Sequence, residues 1–158
     1  MKAVIIMGSK SDLDWSKKIV DSLKNFGIES VIRVASAHKT PLKVLEIVKE
    51  YEKEEVVFVT VAGRSNALSG FVDANTFRPV IACPPYSDKF AGMDVLSTLR
   101  MPSGVSPMTV LEPEQAGLAV AKIFAFKDKE LAEKVKLYQE KKKREIEEDD
   151  ESILESKS

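Results

Sequence analysis

Val56-Val57-Phe58-Val59-Thr60-Val61 runs directly into Ala62-Gly63-Arg64-Ser65-Asn66. A continuous β-branched and aromatic run marks a strand covered on both faces, and the glycine and polar residues mark its end. The same order appears twice upstream. Ala3-Val4-Ile5-Ile6-Met7 precedes Gly8-Ser9-Lys10-Ser11-Asp12, and the run 28–35, with Ile28, Val31, Ile32 and Val34, precedes Ser36-Ala37-His38-Lys39-Thr40-Pro41. Helical stripes separate the runs. Leu13, Ile19, Val20, Leu23 and Phe26 form the first, opened by Asp12 or a neighbouring serine as cap and ended by Gly27. Leu42, Leu45, Ile47, Val48 and Tyr51 form the second, with Pro41 suited to its first turn.

Downstream, residues 65–74 read as a helix. Pro79-Val80-Ile81-Ala82-Cys83 reads as a fourth strand stopped by Pro84-Pro85. Residues 94–99 suit a short helix, and Met101-Pro102-Ser103-Gly104-Val105-Ser106-Pro107 suits a loop. Met108-Thr109-Val110-Leu111 is a fifth strand, followed by an Ala-rich helix over 114–125 and a charged one over 128–145. Strands alternating with helices imply right-handed crossovers. The expected fold is an α/β three-layer sandwich with a central parallel sheet, flavodoxin-like. Residues 1–146 read as a single domain without internal repeat, and 147–158 as a polar, acidic, frayed tail.

Composition narrows the function. With 158 residues there is chain enough for a three-layer core. A net charge of −1 gives no general electrostatic case for nucleic acid or a membrane surface. One cysteine and one histidine argue against a disulfide framework and a zinc site. The N-terminal apolar run is too short for a signal sequence, and no run approaches a membrane span, so the expected location is the cytoplasm.

In a parallel sheet the three Gly/Ser loops open on one edge. Gly8, Ser9 and Ser11 suit a phosphate at a helix start, and Asp12 suits ribose hydroxyls; an ordinary glycine turn with a cap explains the same residues. The pattern matches neither the dinucleotide nor the nucleoside triphosphate glycine motif. His38 carries the one side chain type that titrates near neutrality, which suits proton transfer, or it is a hydrogen-bonded residue at a helix entrance. Lys39 and Arg64 are anion ligands or solvated charges. Arg100 and Ser103 flank a loop that could cover a ligand. Cys83, beside two prolines, reads as a small buried residue rather than a nucleophile.

Taken together, these loops resemble the PurE family of purine biosynthesis. The resemblance rests on Gly8-Ser9-Lys10-Ser11-Asp12, Ser36-Ala37-His38-Lys39-Thr40-Pro41 and Ala62-Gly63-Arg64-Ser65-Asn66-Ala67-Leu68-Ser69-Gly70, with Met101-Pro102-Ser103-Gly104 and the Ala-rich helix. It covers about residues 2–140. The family has a mutase branch, which moves a carboxyl group from the exocyclic amine of carboxyaminoimidazole ribonucleotide to the ring carbon. Its other branch carboxylates 5-aminoimidazole ribonucleotide directly with carbon dioxide. The mutase pattern has Gly-Gly-Ala-Ala-His-Leu in the third loop and Arg after the histidine. Here the third loop is Gly63-Arg64-Ser65-Asn66, and Lys39 follows His38, which resembles the carboxylase branch.

The resemblance therefore implies a class II phosphoribosylaminoimidazole carboxylase needing no ATP, biotin or metal, and no other cofactor. It implies His38 as the proton-transfer group. Lys39 and the Ser65 region would hold carbon dioxide or carboxylate, and Ser9, Ser11, Asp12 and Ser36 the ribose phosphate. Gly8 and Ala37 would line the site. Backbone amides of Ala62, Gly63 and Ala67 would stabilise carboxylate charge, and Arg64 would serve phosphate or loop structure. It also implies a homo-octamer with sites at subunit contacts. The alternatives are the mutase, a non-catalytic nucleotide-binding module and a flavodoxin-type electron carrier. The last is disfavoured by a single Trp and three Tyr to flank a flavin.

Overall fold

Five parallel strands form one sheet in the order β2-β1-β3-β4-β5 in the computed structural model, which describes residues 1–155. The strands are β1 (Lys2–Met7), β2 (Glu29–Val34), β3 (Val56–Val61), β4 (Val80–Ala82) and β5 (Met108–Thr109). The helices are α1 (Leu13–Asn25), α2 (Pro41–Tyr51), α3 (Ala67–Asp73), α4 (Leu96–Leu99), α5 (Pro113–Ala125) and α6 (Lys129–Glu155). This is the doubly wound, flavodoxin-like order, in which the chain reverses direction of travel between β1 and β3.

Strand periodicity divides the core into two layers. Ala3, Ile5 and Met7 of β1 and Val57, Val59 and Val61 of β3 pack with Ile19 and Leu23 of α1, Val120 of α5 and Leu131 of α6. Val4 and Ile6, with Val56 and Phe58, face the other way onto Val44 and Val48 of α2 and Leu68 and Val72 of α3. All six residues of β3 are buried, as its continuous apolar sequence demands. Helices α1 and α5 cross at Gly117. A Cβ there would stand 2.3 Å from the Ser22 Oγ, and that hydroxyl donates to the Glu114 carbonyl at 2.7 Å.

Several boundaries differ from the sequence expectation. The strand expected over 28–35 is a half-buried edge strand, β2, because no neighbour covers its outer side. The fourth and fifth strands shrink to Val80–Ala82 and Met108–Thr109. The helix expected over 94–99 is split between a 3-10 segment, Lys89–Val95, and α4, after left-handed backbone at Phe90, Ala91 and Gly92. The tail expected to fray from 147 is instead helical to Glu155. Charge density alone suggests disorder, but Glu147, Glu148, Glu151 and Glu155 are good helix formers, and Glu147 lies one turn beyond Lys143, whose charge interacts with it. Residues 156–158 of that tail lie outside the described residues. Among the described residues, no helix is long and apolar enough to cross a membrane.

Candidate active site

A cavity of about 510 Å³ opens at the carboxyl ends of β1, β2, β3 and β4. It sits at the β1/β3 reversal point, where this class of sheet leaves a crevice. Gly8, Ser9, Ser11 and Asp12 line it after β1, and Ser36, Ala37, His38 and Lys39 after β2. Ala62, Gly63, Arg64 and Ser65 line it after β3.

Ala67 is the exception among the residues expected at the site. It is the exposed first residue of α3, and its backbone N–H donates to the Ser65 carbonyl at 3.0 Å. That amide is engaged within the loop, and Ala67 does not line the cavity. The helical turn brings Leu68, one position on, to the cavity wall. Arg100 and Ser103 are not lining residues either. Their loop packs on α3, where the Ser106 N–H donates to Asp73 Oδ2 at 2.7 Å and Met101 Sδ lies against Gly70.

The β2 loop is a self-bonded turn. The Thr40 N–H donates to the Ser36 carbonyl at 2.8 Å, and the Ser36 N–H donates to Thr40 Oγ1 at 3.0 Å. The Lys39 N–H donates to Ser36 Oγ at 3.3 Å. These bonds fix the turn and leave the side chains of His38 and Lys39 exposed at the cavity. In the β1 loop, Ser9 rather than Asp12 is the side-chain cap, accepting from the Ser11 N–H at 3.3 Å. Asp12 is thus spared for the cavity. Burial pushes its carboxyl above the ordinary range, against the opposing pull of hydrogen bonds from Ser11 and Ser9 and of the Arg64 charge.

The β3 loop turns at Arg64, whose φ of 59° is left-handed. Asn66 then caps α3, with its side-chain oxygen accepting from the Ser69 N–H at 3.2 Å. The fourth wall was not anticipated. Pro85, Tyr86 and Ser87 follow β4 and face the cavity. Pro84-Pro85 stops β4, which as a fourth parallel strand also ends at this edge. Tyr86 stacks edge-on against Trp15, with ring centroids 5.2 Å apart, and its hydroxyl donates to Glu112. Cys83 is fully buried behind this wall, and burial pushes its thiol up to about 12, so it is not a nucleophile.

The cavity therefore offers hydroxyls from Ser9, Ser11, Ser36 and Ser65, cations from Lys39 and Arg64, one carboxyl and one imidazole. Hydroxyls and cations on loops from several strands suit a phosphorylated, hydroxyl-bearing ligand, and the volume suits a small nucleotide. Among the described residues, no cluster of three or more His, Cys, Asp or Glu is arranged to hold a metal ion.

Known proteins resemble this chain along most of its length. A family model described as AIR carboxylase matches residues 2–145. A phosphoribosylaminoimidazole carboxylase of Archaeoglobus fulgidus is 72% identical over 97% of this chain and 85% of its own length. One from Treponema denticola is 53% identical over 95% of this chain and 96% of its own. The mouse bifunctional phosphoribosylaminoimidazole carboxylase/phosphoribosylaminoimidazole succinocarboxamide synthetase is 46% identical over 78% of this chain, which spans 29% of that longer protein. The crystal structure of Treponema denticola PurE superimposes with a TM-score of 0.94 at 52% identity, covering 96% of this chain and 98% of that one. By sequence and by fold, this chain belongs to the AIR carboxylase family.

Proposed function

We propose that this protein joins carbon dioxide to 5-aminoimidazole ribonucleotide, forming 4-carboxy-5-aminoimidazole ribonucleotide reversibly in purine biosynthesis. The observation that carries this is the meeting of His38, Lys39 and the hydroxyls of three strand-end loops in one cavity.

The ring carbon of an aminoimidazole is enamine-like and nucleophilic. Its electron pair attacks the carbon of carbon dioxide, and one C=O π pair moves onto oxygen to give a carboxylate. The ring carbon then carries both a hydrogen and the new carboxylate. Loss of that proton returns the C–H electron pair to the ring and restores aromaticity. His38 accepts the proton, and returns it when the reaction runs backward as a decarboxylation. General base catalysis of this kind contributes roughly 10²–10⁴ in rate. Lys39 and Ser65 hold the carboxylate, while Ser9, Ser11, Asp12 and Ser36 bind the ribose phosphate portion. Gly8, Ala37, Ala62 and Gly63 let the ligand approach the backbone.

Lys39 after the histidine, and Arg64-Ser65-Asn66 in the third loop, favour carbon dioxide over the carboxyamino ribonucleotide as carboxyl donor. Similarity to the mouse bifunctional phosphoribosylaminoimidazole carboxylase supports carboxylase activity. We further read residues 1–146 as one catalytic unit working in the cytoplasm as a homo-octamer. The exposed apolar residues Phe90, Met93, Leu96, Leu99 and Met108 supply surface for subunit contact. The test compares initial rates without ATP on two substrates, 5-aminoimidazole ribonucleotide with bicarbonate and the carboxyamino ribonucleotide. Turnover of the first supports the reading; turnover of the second alone assigns the protein to the mutase branch.

A further inference from the structure

We propose that Ser97 is a positioning residue for the cavity, clamping the β3 loop in the conformation that presents Arg64 and Ser65. This rests on the carboxylase reading for its effect on turnover, though not for its effect on structure.

Arg64 occupies left-handed backbone, with φ of 59°. For a residue with a Cβ, that conformation is unfavourable in isolation and persists where its surroundings enforce it. Arg64 sits between Gly63 and Ser65, and all three line the cavity, so the left-handed turn shapes this wall. One hydroxyl bridges the turn from outside its own loop. Ser97 Oγ lies 2.8 Å from the Arg64 carbonyl oxygen, to which it can donate, and accepts from the Asn66 N–H at 3.0 Å. One side chain thus joins the peptide groups on both sides of Ser65.

The neighbouring residue reinforces the same point. Thr98 Oγ1 accepts from Asn66 Nδ2 at 3.0 Å, and both residues are buried. Asn66 is thereby held from α4 as well as by its cap on α3. The clamp and the fourth cavity wall come from one stretch of chain, since Pro85, Tyr86 and Ser87 precede Ser97 in the connection leading into α4. The Asp94 carbonyl, 2.7 Å away, competes with the Arg64 carbonyl for the single Ser97 proton, while the bond accepted from the Asn66 N–H is made in either case. Ser97 does not line the cavity itself, so any effect on turnover passes through the loop.

The experiment uses the full chain in three variants: Ser97→Ala, Ser97→Thr, and Ser97→Ala combined with Arg64→Gly. Crystal structures and initial rates are compared with wild type and with Arg64→Gly alone. In Ser97→Ala, Arg64 leaves left-handed backbone and kcat/KM falls about tenfold, as loss of two hydrogen bonds that fix one geometry allows. Ser97→Thr keeps the hydroxyl and restores both. With glycine at 64 the turn needs no enforcement, so the further loss on adding Ser97→Ala is markedly smaller. The proposal is overturned if the Ser97→Ala crystal structure keeps Arg64 left-handed with an unchanged rate, or if the loss is equal in the glycine background. A wild type without turnover would remove the carboxylase reading, and the crystal structure of Ser97→Ala would still decide the clamp.

Discussion

The Thr60 hydroxyl, buried in the middle of the sheet, donates to Ser69 Oγ on α3 at 2.9 Å. Asn66 Nδ2 donates to the same oxygen at 2.7 Å. Ser69 is therefore the shared acceptor that ties the central strand, the third helix and the cavity loop together. Removing it costs Asn66 Nδ2 one of its two acceptors and leaves the Thr60 hydroxyl only the longer contact to the Ile81 carbonyl at 3.4 Å. Ser69→Ala is expected to lower stability by about 1–3 kcal/mol, measured by urea unfolding. An unchanged midpoint would mean that this network does not hold the loop.

Asp12 binds its proton more tightly in the fold than in the unfolded chain, because burial disfavours the carboxylate. The folded state then holds the extra proton, so this group's contribution to stability is complete below its ordinary value of 3.8 and is lost as pH rises through the raised folded value. At neutral pH an ionised Asp12 is a cost to the ligand-free fold. Asp12→Asn should melt higher than wild type at neutral pH, with the difference closing in acid, and should bind nucleotide more weakly. Thermal melts across pH and a nucleotide titration check both arms.

Cys83 follows the same sign at the other end of the scale. Its thiol shifts from 9.0 to about 12 on burial, so its contribution is intact below 9.0 and disappears as pH rises toward 12. Native protein should resist a thiol-specific alkylating reagent at mildly alkaline pH, keep its activity, and react fully once denatured. Rapid labelling of the folded protein with loss of activity would put a reactive thiolate at the site.

His38→Asn removes the proton acceptor while keeping a polar side chain at the turn. Turnover should fall by roughly 10²–10⁴ while nucleotide affinity stays close to wild type. Equal loss of binding and turnover would make His38 a binding group instead.

The architecture followed from the sequence because β1 and β3, buried on both faces, are nearly unbroken apolar runs, and β1, β2 and β3 each end in a glycine or serine loop. Those loops are contiguous in sequence, so Ser9, His38 and Arg64 could be nominated without coordinates. Tyr86 could not, because its role depends on where β4 falls in the sheet and on the distant Trp15 and Glu112 that support it. The Ser97 contact spans 33 residues of sequence and leaves no local pattern. Ala67 falls outside the lining because the first turn of α3 directs Leu68 to the cavity. The acidic C-terminal stretch departs from expectation because charge density suggests disorder, whereas its glutamates favour the helix and it continues one already formed from Lys129.

The source of the carboxyl carbon is the most direct test of the account. Purified protein is supplied with 5-aminoimidazole ribonucleotide and ¹³C-labelled carbon dioxide, with unlabelled carboxyamino ribonucleotide present and ATP absent, and the product carboxylate is read by mass spectrometry in the initial-rate phase. Direct carboxylation predicts a ¹³C-enriched carboxylate. An unenriched product, formed at the rate at which the carboxyamino compound disappears, would contradict it.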